Sequence, residues 1–146
     1  MASKGFEKSG QDLVVMLEDF FKKAPMLPKG GREMVVAITP WIALIFGILG
    51  VLAGVGAVGI SPLALFAGFN ASTTVLISGI LMLVSSVLML MAFPKLKQHH
   101  MGGWMLLFYS EVISIVSNVI RVDLVGALIG GLIGFYLLFQ IKSYYK

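Results

Sequence analysis

The side chain whose type and position could do chemistry is Glu111, a carboxylate in the middle of the apolar run WMLLFYSEVISIVSNVIR, residues 104–121. Ser110, Ser114, Ser117 and Asn118 accompany it. Two chemistries fit this set. A carboxylate with hydroxyl and amide oxygens beside it can take up and release a proton or a small cation, and an intramembrane acid marks such pathways. A neutral, protonated Glu111 can instead bond to hydroxyls of a neighbouring helix or subunit and fix helix register. Either role must offset about 2.5–3.5 kcal/mol, the cost of an acid at the membrane centre on insertion scales.

At about 100° per residue, Ser110, Glu111, Ser114, Ser117, Asn118 and Arg121 fall within an arc of about 120°. They form one polar face, which has to look away from lipid. Glu111 and Arg121 lie about 15 Å apart along one helix, too far to pair. Depth matching between antiparallel neighbours places Glu111 opposite Ser85 and Ser86 of the second span, and beside residues 131–134 of the fourth.

The elements that must position this face follow from composition. Of 146 residues, 58% are hydrophobic and 12% charged, against about one-quarter charged in a soluble domain. The expectation is an all-α integral membrane protein: four transmembrane helices in an antiparallel bundle, preceded by a cytoplasmic amphipathic helix. The spans are predicted at residues 40–59, 73–93, 103–120 and 124–141, in a membrane domain of residues 34–146. The first apolar run begins too deep in the chain and is too long for a signal peptide.

Residues 1–33 hold more than half of the charged side chains. There Leu13, Met16, Leu17, Phe20 and Phe21 recur with helical period, predicting an amphipathic helix over about residues 10–24, capped by Ser9 and stopped at Ala24-Pro25. Because its polar face mixes charge signs, docking on protein competes with a position in the lipid interface. Thr39-Pro40-Trp41 reads as cap, first-turn proline and interfacial aromatic of the first span; a helix starting at Glu33 and kinked at Pro40 is the alternative. Asn70 or Ser72 is the expected cap of the second span, and Pro94 its end. Asn70-Ala71-Ser72 also matches the N-glycosylation pattern, which matters only in a eukaryotic secretory route. Arg121 and Asp123 complement helix dipoles across a tight hairpin, with Asp123 as a cap.

Two small-residue faces predict close helix packing: Gly47, Gly50 and Gly54 in the first span, and Gly126, Gly130 and Gly134 in the fourth. Tyr144 and Tyr145 read as interfacial anchors. Counting from Lys22, eight basic residues (Lys22, Lys23, Lys29, Arg32, Lys95, Lys97, Lys142, Lys146) face Arg121 alone on the other side, which predicts cytoplasmic termini. These basic residues lie where topology requires them, so nucleic-acid binding is not expected.

Without cysteine there is neither disulfide nor thiolate chemistry. His99 and His100 sit in a basic loop without a third ligand, and no serine has an evident base, so neither a metal or other cofactor nor an enzymatic activity is expected. Membrane lipids and a second copy or a membrane partner protein are the expected partners.

The segments PWIALIFGILG, AFPKLK, GWMLLFYSEV and IGFYLLFQIKSYYK within residues 40–146 resemble small four-helix membrane proteins of unassigned function from bacteria of the candidate-phyla kind. The resemblance implies a bacterial inner-membrane location and transfers no site residues. The chain departs from the small multidrug transporters, whose essential acid is in the first span, and from the small fluoride channels, whose paired phenylalanine motif is absent. The composite expectation is a structural or partner-binding subunit that self-associates, with a minimal proton or cation channel or transporter using Glu111 as the alternative.

Overall fold

Length and apolar composition favour long, unbroken helices in this chain. The hydrocarbon core offers no water to unpaired N–H and C=O groups, so an apolar run is driven to stay helical over its whole length. The computed structural model describes residues 2–146, with side-chain surroundings from Lys4 onward. The elements are α1 (Ala2–Phe21), α2 (Lys29–Ile60), a 3₁₀ turn (Leu63–Ala67), α3 (Phe69–Lys97), α4 (Met101–Ile120), α5 (Leu124–Ile141) and a closing 3₁₀ turn (Lys142–Tyr144). The four helices α2, α3, α4 and α5, the last with its closing turn, are long and apolar enough to cross a membrane.

α5 occupies the residues expected of it, α2, α3 and α4 outrun the sequence boundaries, and α1 starts earlier but ends at Phe21, before the expected stop at Ala24-Pro25. α2 begins at Lys29 and passes through Pro40. Thr39 is therefore no cap: its hydroxyl donates to the Val35 carbonyl at 2.6 Å, one turn back within the helix. α2 is started instead by Pro28, whose carbonyl accepts from the Arg32 N–H at 3.0 Å. Similarly, Pro94 lies inside α3, which continues to Lys97. Gly68 precedes α3 at φ +118°, a backbone region open mainly to glycine. Neither Asn70 nor Ser72 caps; the Ser72 hydroxyl donates to the Ser61 carbonyl at 2.7 Å, tying α3 to the preceding loop. In α1, Ser9 is an interior residue whose hydroxyl donates to the Gly5 carbonyl at 2.9 Å.

Glycine brings α2 against α3. A Cβ on Gly47 would lie 2.7 Å from Leu90 Cδ2, and one on Gly54 would lie 2.8 Å from Leu83 Cγ; Gly50 abuts the Ser86 hydroxyl. Gly79 of α3 returns the contact against Ala57 and Val58. The fourth-span glycines behave differently. Gly126 meets only the side chain of Asp123, and Gly130 faces open space, so the expected packing role of Gly130 falls to its neighbour Gly131, where a Cβ would lie 2.9 Å from Ile115. The buried face of α5 is Ala127, Gly131, Phe135, Leu138 and Ile141, one residue out of phase with the glycine repeat.

The apolar core is gathered towards one end of the bundle. Trp104, Phe108, Leu96 and Ile141 are fully buried there. The Trp104 indole N–H donates to the Leu138 carbonyl at 2.8 Å, its ring stacks on Phe108, and Phe108 meets Phe135 at 5.4 Å. Towards the hairpin of residues 121–123, burial passes to Ser78, Ser117 and Ala127.

α1 docks on α4 and α5. Phe21 packs on Phe135 and Phe139, Lys142 pairs with Glu18, and Gly10 admits the Tyr109 hydroxyl. Val14 and Phe21 are the buried positions, so the face is rotated from the sequence reading and leaves Met16 and Phe20 each 62% exposed. The Tyr136 hydroxyl donates to the Pro25 carbonyl at 2.6 Å, fastening the linker after α1. At the other terminus, Tyr145 is not an interfacial anchor. It is 3% exposed, and the main chain beside it is held by Lys146 N–H to His99 carbonyl (3.0 Å) and Met101 N–H to Lys146 carbonyl (2.7 Å).

Two outcomes follow from this packing. Gly54→Leu should destabilise the protein by about 1–3 kcal/mol through overpacking, whereas Gly56→Leu, in open space, should change little. Detergent-denaturant unfolding followed by tryptophan fluorescence reads the difference, and equal stability of the two variants would refute the α2–α3 contact. Secondly, burial pushes the Tyr145 phenol up to about 12 from 10.0. Its neutral form is the one the fold accommodates, so this contribution is complete below pH 10.0 and lost as pH rises towards 12. Phenolate absorbance should show one of the four tyrosines ionising late, and that late phase should vanish in Tyr145→Phe.

Candidate functional site

α4 packs between α3 and α5, and its periodicity sends alternate members of the polar face to different neighbours. Gly103, Ser110 and Ser117 are buried on one side. A Cβ on Gly103 would lie 2.8 Å from Leu96 N, and the Ser110 hydroxyl donates to the Ser85 carbonyl at 3.2 Å; both contacts are with α3. Trp104, Phe108 and Ile115 turn towards α5, and Glu111 goes with them: its carboxylate lies against Gly134. The polar face is therefore split. Ser110, not Glu111, stands opposite Ser85, because a step of one residue turns the side chain by about 100°.

Glu111 is half-buried and makes no ion pair or side-chain hydrogen bond among the described residues. Gly134 is the reason it fits. Any side chain at that position would occupy the volume the carboxylate takes.

The other polar residues line a groove of about 410 Å³ between α2 and α4, floored by α3. Ser78, Ser85 and Ser86 come from α3, Ser114, Ser117, Asn118 and Arg121 from α4, and Gly50 from α2. Most hydroxyls are bonded within their own helices: Ser85 and Ser86 donate to the Met82 carbonyl at 3.1 and 2.6 Å, and Ser114 to the Ser110 carbonyl at 2.9 Å. These internal bonds let serine be buried without a partner helix. The Ser78 hydroxyl is different: it is buried and has no partner. Phe46, Val75, Met82 and Met89 supply apolar walls. Glu111 does not line the groove; it lies one helical turn from Ser114.

At the hairpin, Arg121 folds back to donate to Asn118 Oδ1 rather than pairing with Asp123. Asp123 Oδ1 accepts from the Gly126 N–H at 2.9 Å and caps α5. Val122 takes up the turn at φ +60°, a strained conformation for a β-branched residue. In the opposite loop the two histidines are used separately. His100 Nδ1 accepts from the Gly102 N–H at 3.1 Å and caps α4, while the His99 ring lies against Tyr145. No cluster of three or more metal-ligating side chains forms among the described residues.

Sequence reasoning missed the capping role of His100, the unpaired Ser78 hydroxyl and the contact of Gly10 with Tyr109. A histidine two residues before a Gly-Gly pair at the start of an apolar run was the available signal for the first. No family model, curated protein or solved structure matches the chain.

Ser110 and Ser78 provide a paired test of this geometry. Ser110→Ala should cost roughly 0.6 kcal/mol, the average for an interhelical hydrogen bond in a membrane protein. Ser78→Ala should leave unfolding of the monomer unchanged or slightly improve it, because its hydroxyl is unpaired. Unfolding in mixed micelles measures both, and a larger loss for Ser78→Ala would contradict the assignment.

Proposed function

We propose that this chain is a small multi-pass protein of a bacterial inner membrane that serves as a structural or partner-binding subunit and associates with copies of itself. Its four helices form an antiparallel bundle, a reading supported by the α2–α3 contacts, in which Gly47 meets Leu90, Gly50 meets Ser86 and Gly54 meets Leu83. The termini and α1 are cytoplasmic, as the bias of eight basic residues against Arg121 supports.

The observation that carries the assembly role is the groove. It sets small and hydroxylated side chains, one of them buried without a partner, between helices in a protein made for lipid. Interfaces between membrane helices are built from such residues, because close backbone approach and interhelical hydrogen bonds replace the hydrophobic effect there. Glu111 then acts structurally, its carboxylate seated on Gly134 to hold the register of α4 and α5.

A second reading, proton or cation transfer through Glu111, is favoured by one observation. The carboxylate is unbonded and sits one turn from Ser114 and two from Asn118, both groove residues. The natural absence of cysteine makes single-cysteine variants clean probes of both readings. Under the assembly reading, Val75→Cys at the groove should cross-link into dimers in membranes and Val122→Cys should react with a reagent added outside. Glu111→Gln should retain the cross-link, and reconstituted vesicles should show no proton flux that depends on Glu111. Glu111-dependent flux without cross-linking at the groove would replace the assembly reading with transport.

A further inference from the structure

A second pocket, remote from the groove, lies where α1, the start of α2 and the C-terminal turn converge. Its volume is about 330 Å³. Lys22, Arg32 and Lys142 bring three cations to it, against the single carboxylate of Glu18. Glu18 is already engaged, pairing with Lys142 and lying 3.9 Å from the Lys22 ammonium. Arg32 has no partner: its Nε is buried and unbonded, and the guanidinium makes no salt bridge among the described residues. Beside it the Tyr145 hydroxyl is also buried and unbonded, on a residue 3% exposed.

Two buried donors without protein acceptors, in a pocket of positive balance, suit an oxygen-rich anion. A buried donor left unpaired loses its hydration with nothing in return, and the planar guanidinium fork matches phosphate oxygens better than any other common anion except carboxylate. Gln140 and Ser143 add polar atoms to the lining, and Phe21, Met26, Met101 and Phe139 give it apolar walls. The pocket is built rather than incidental: the Leu27 N–H donates to Gln140 Oε1 at 3.1 Å, and Gln140 Nε2 donates to the Pro25 carbonyl at 3.4 Å, which hold the linker across α5.

We propose that this pocket binds a phosphate group through Arg32 and the Tyr145 hydroxyl, with Lys22 and Lys142 supplying further positive charge. The phosphate belongs either to an anionic lipid headgroup, whose upper chains would lie on the methionine and phenylalanine walls, or to a free phosphorylated solute. The site is independent of assembly through the groove, so either conclusion can stand without the other.

The test uses the full chain, purified in neutral detergent and stripped of lipid, with three probes: dioctanoyl phosphatidylglycerol, dioctanoyl phosphatidylcholine and inorganic phosphate. Binding is read by native mass spectrometry and by thermal shift. Arg32→Gln and Tyr145→Phe are the pocket variants, with Lys95→Gln, a basic-loop residue outside the pocket, as control. Arg32→Gln is expected to weaken binding by about tenfold or more, as loss of a charged donor does. Tyr145→Phe should weaken it by a smaller factor, and Lys95→Gln should leave it unchanged. Preference for phosphatidylglycerol over phosphatidylcholine with these variant effects assigns the headgroup; saturable protection by inorganic phosphate with the same effects assigns the free solute. If none of the probes binds, or if Lys95→Gln weakens binding as much as Arg32→Gln, the proposal is overturned. Should Arg32→Gln fail to fold, Tyr145→Phe and Lys22→Gln decide the matter by the same comparison.

Discussion

The contact of α2 with α3 through glycine is the constraint on which the rest of the structure depends. Helices immersed in hydrocarbon gain little from burying leucine against leucine, since lipid tails are equally apolar; they associate through close packing and hydrogen bonds instead. Removing the side chain at Gly47, Gly50, Gly54 and Gly79 lets the two longest helices approach along several turns. That contact sets α2 to one side of α3 while Ser110 and Gly103 bring α4 to another. The groove is the space left between α2 and α4.

The two ends of the bundle solve the packing problem differently. Around Trp104, aromatic rings fill the space and the indole N–H finds a main-chain acceptor, so the core of this end is dense. Near the hairpin, small and hydroxylated residues replace them, and helix contact gives way to a groove. A dense end fixes the relative positions of the helices; an open end is available for another molecule. Glu111 lies at the transition between the two, beyond the last aromatic layer and beside Gly134.

Most of the helical content was legible because hydropathy and length report directly on the cost of unpaired backbone in lipid. The bounds of α5 and its Asp123 cap were readable for a further reason: hydropathy change, capping residue and helix start coincide there. Thr39 and Pro94 read as boundaries under rules of local propensity, which hold best where water can pair the freed groups. In an apolar segment continuation is favoured, so proline is accommodated and the threonine hydroxyl turns back to its own helix. Rotation about helix axes was less legible still. Gly130 and Gly131 differ by one residue, and the exposed member belongs to the more regular motif. Composition identifies a helix that can pack closely, but only the neighbouring helix decides which of two adjacent glycines it uses. The same limit split the polar face of α4, since an arc of about 120° is wide enough to serve two neighbours.

The docking of α1 has a consequence beyond its own stability. Lys22, Arg32 and Lys142 belong to the turn after α1, to α2 and to the closing turn, so they converge only while α1 lies on α4 and α5. Phe21 between Phe135 and Phe139 and the Lys142–Glu18 pair hold it there, together with the Tyr136 bond to Pro25. An anion drawing together cations from three separate segments would in turn favour the docked arrangement, because whatever binds one of two states more tightly shifts the population towards it. Met16 and Phe20, turned outward on the same helix, offer a second attachment to an apolar surface on the opposite face. α1 thus meets the bundle through aromatic and ionic contacts together, and Glu18, an acidic member of its mixed charge pattern, is the residue that neutralises Lys142.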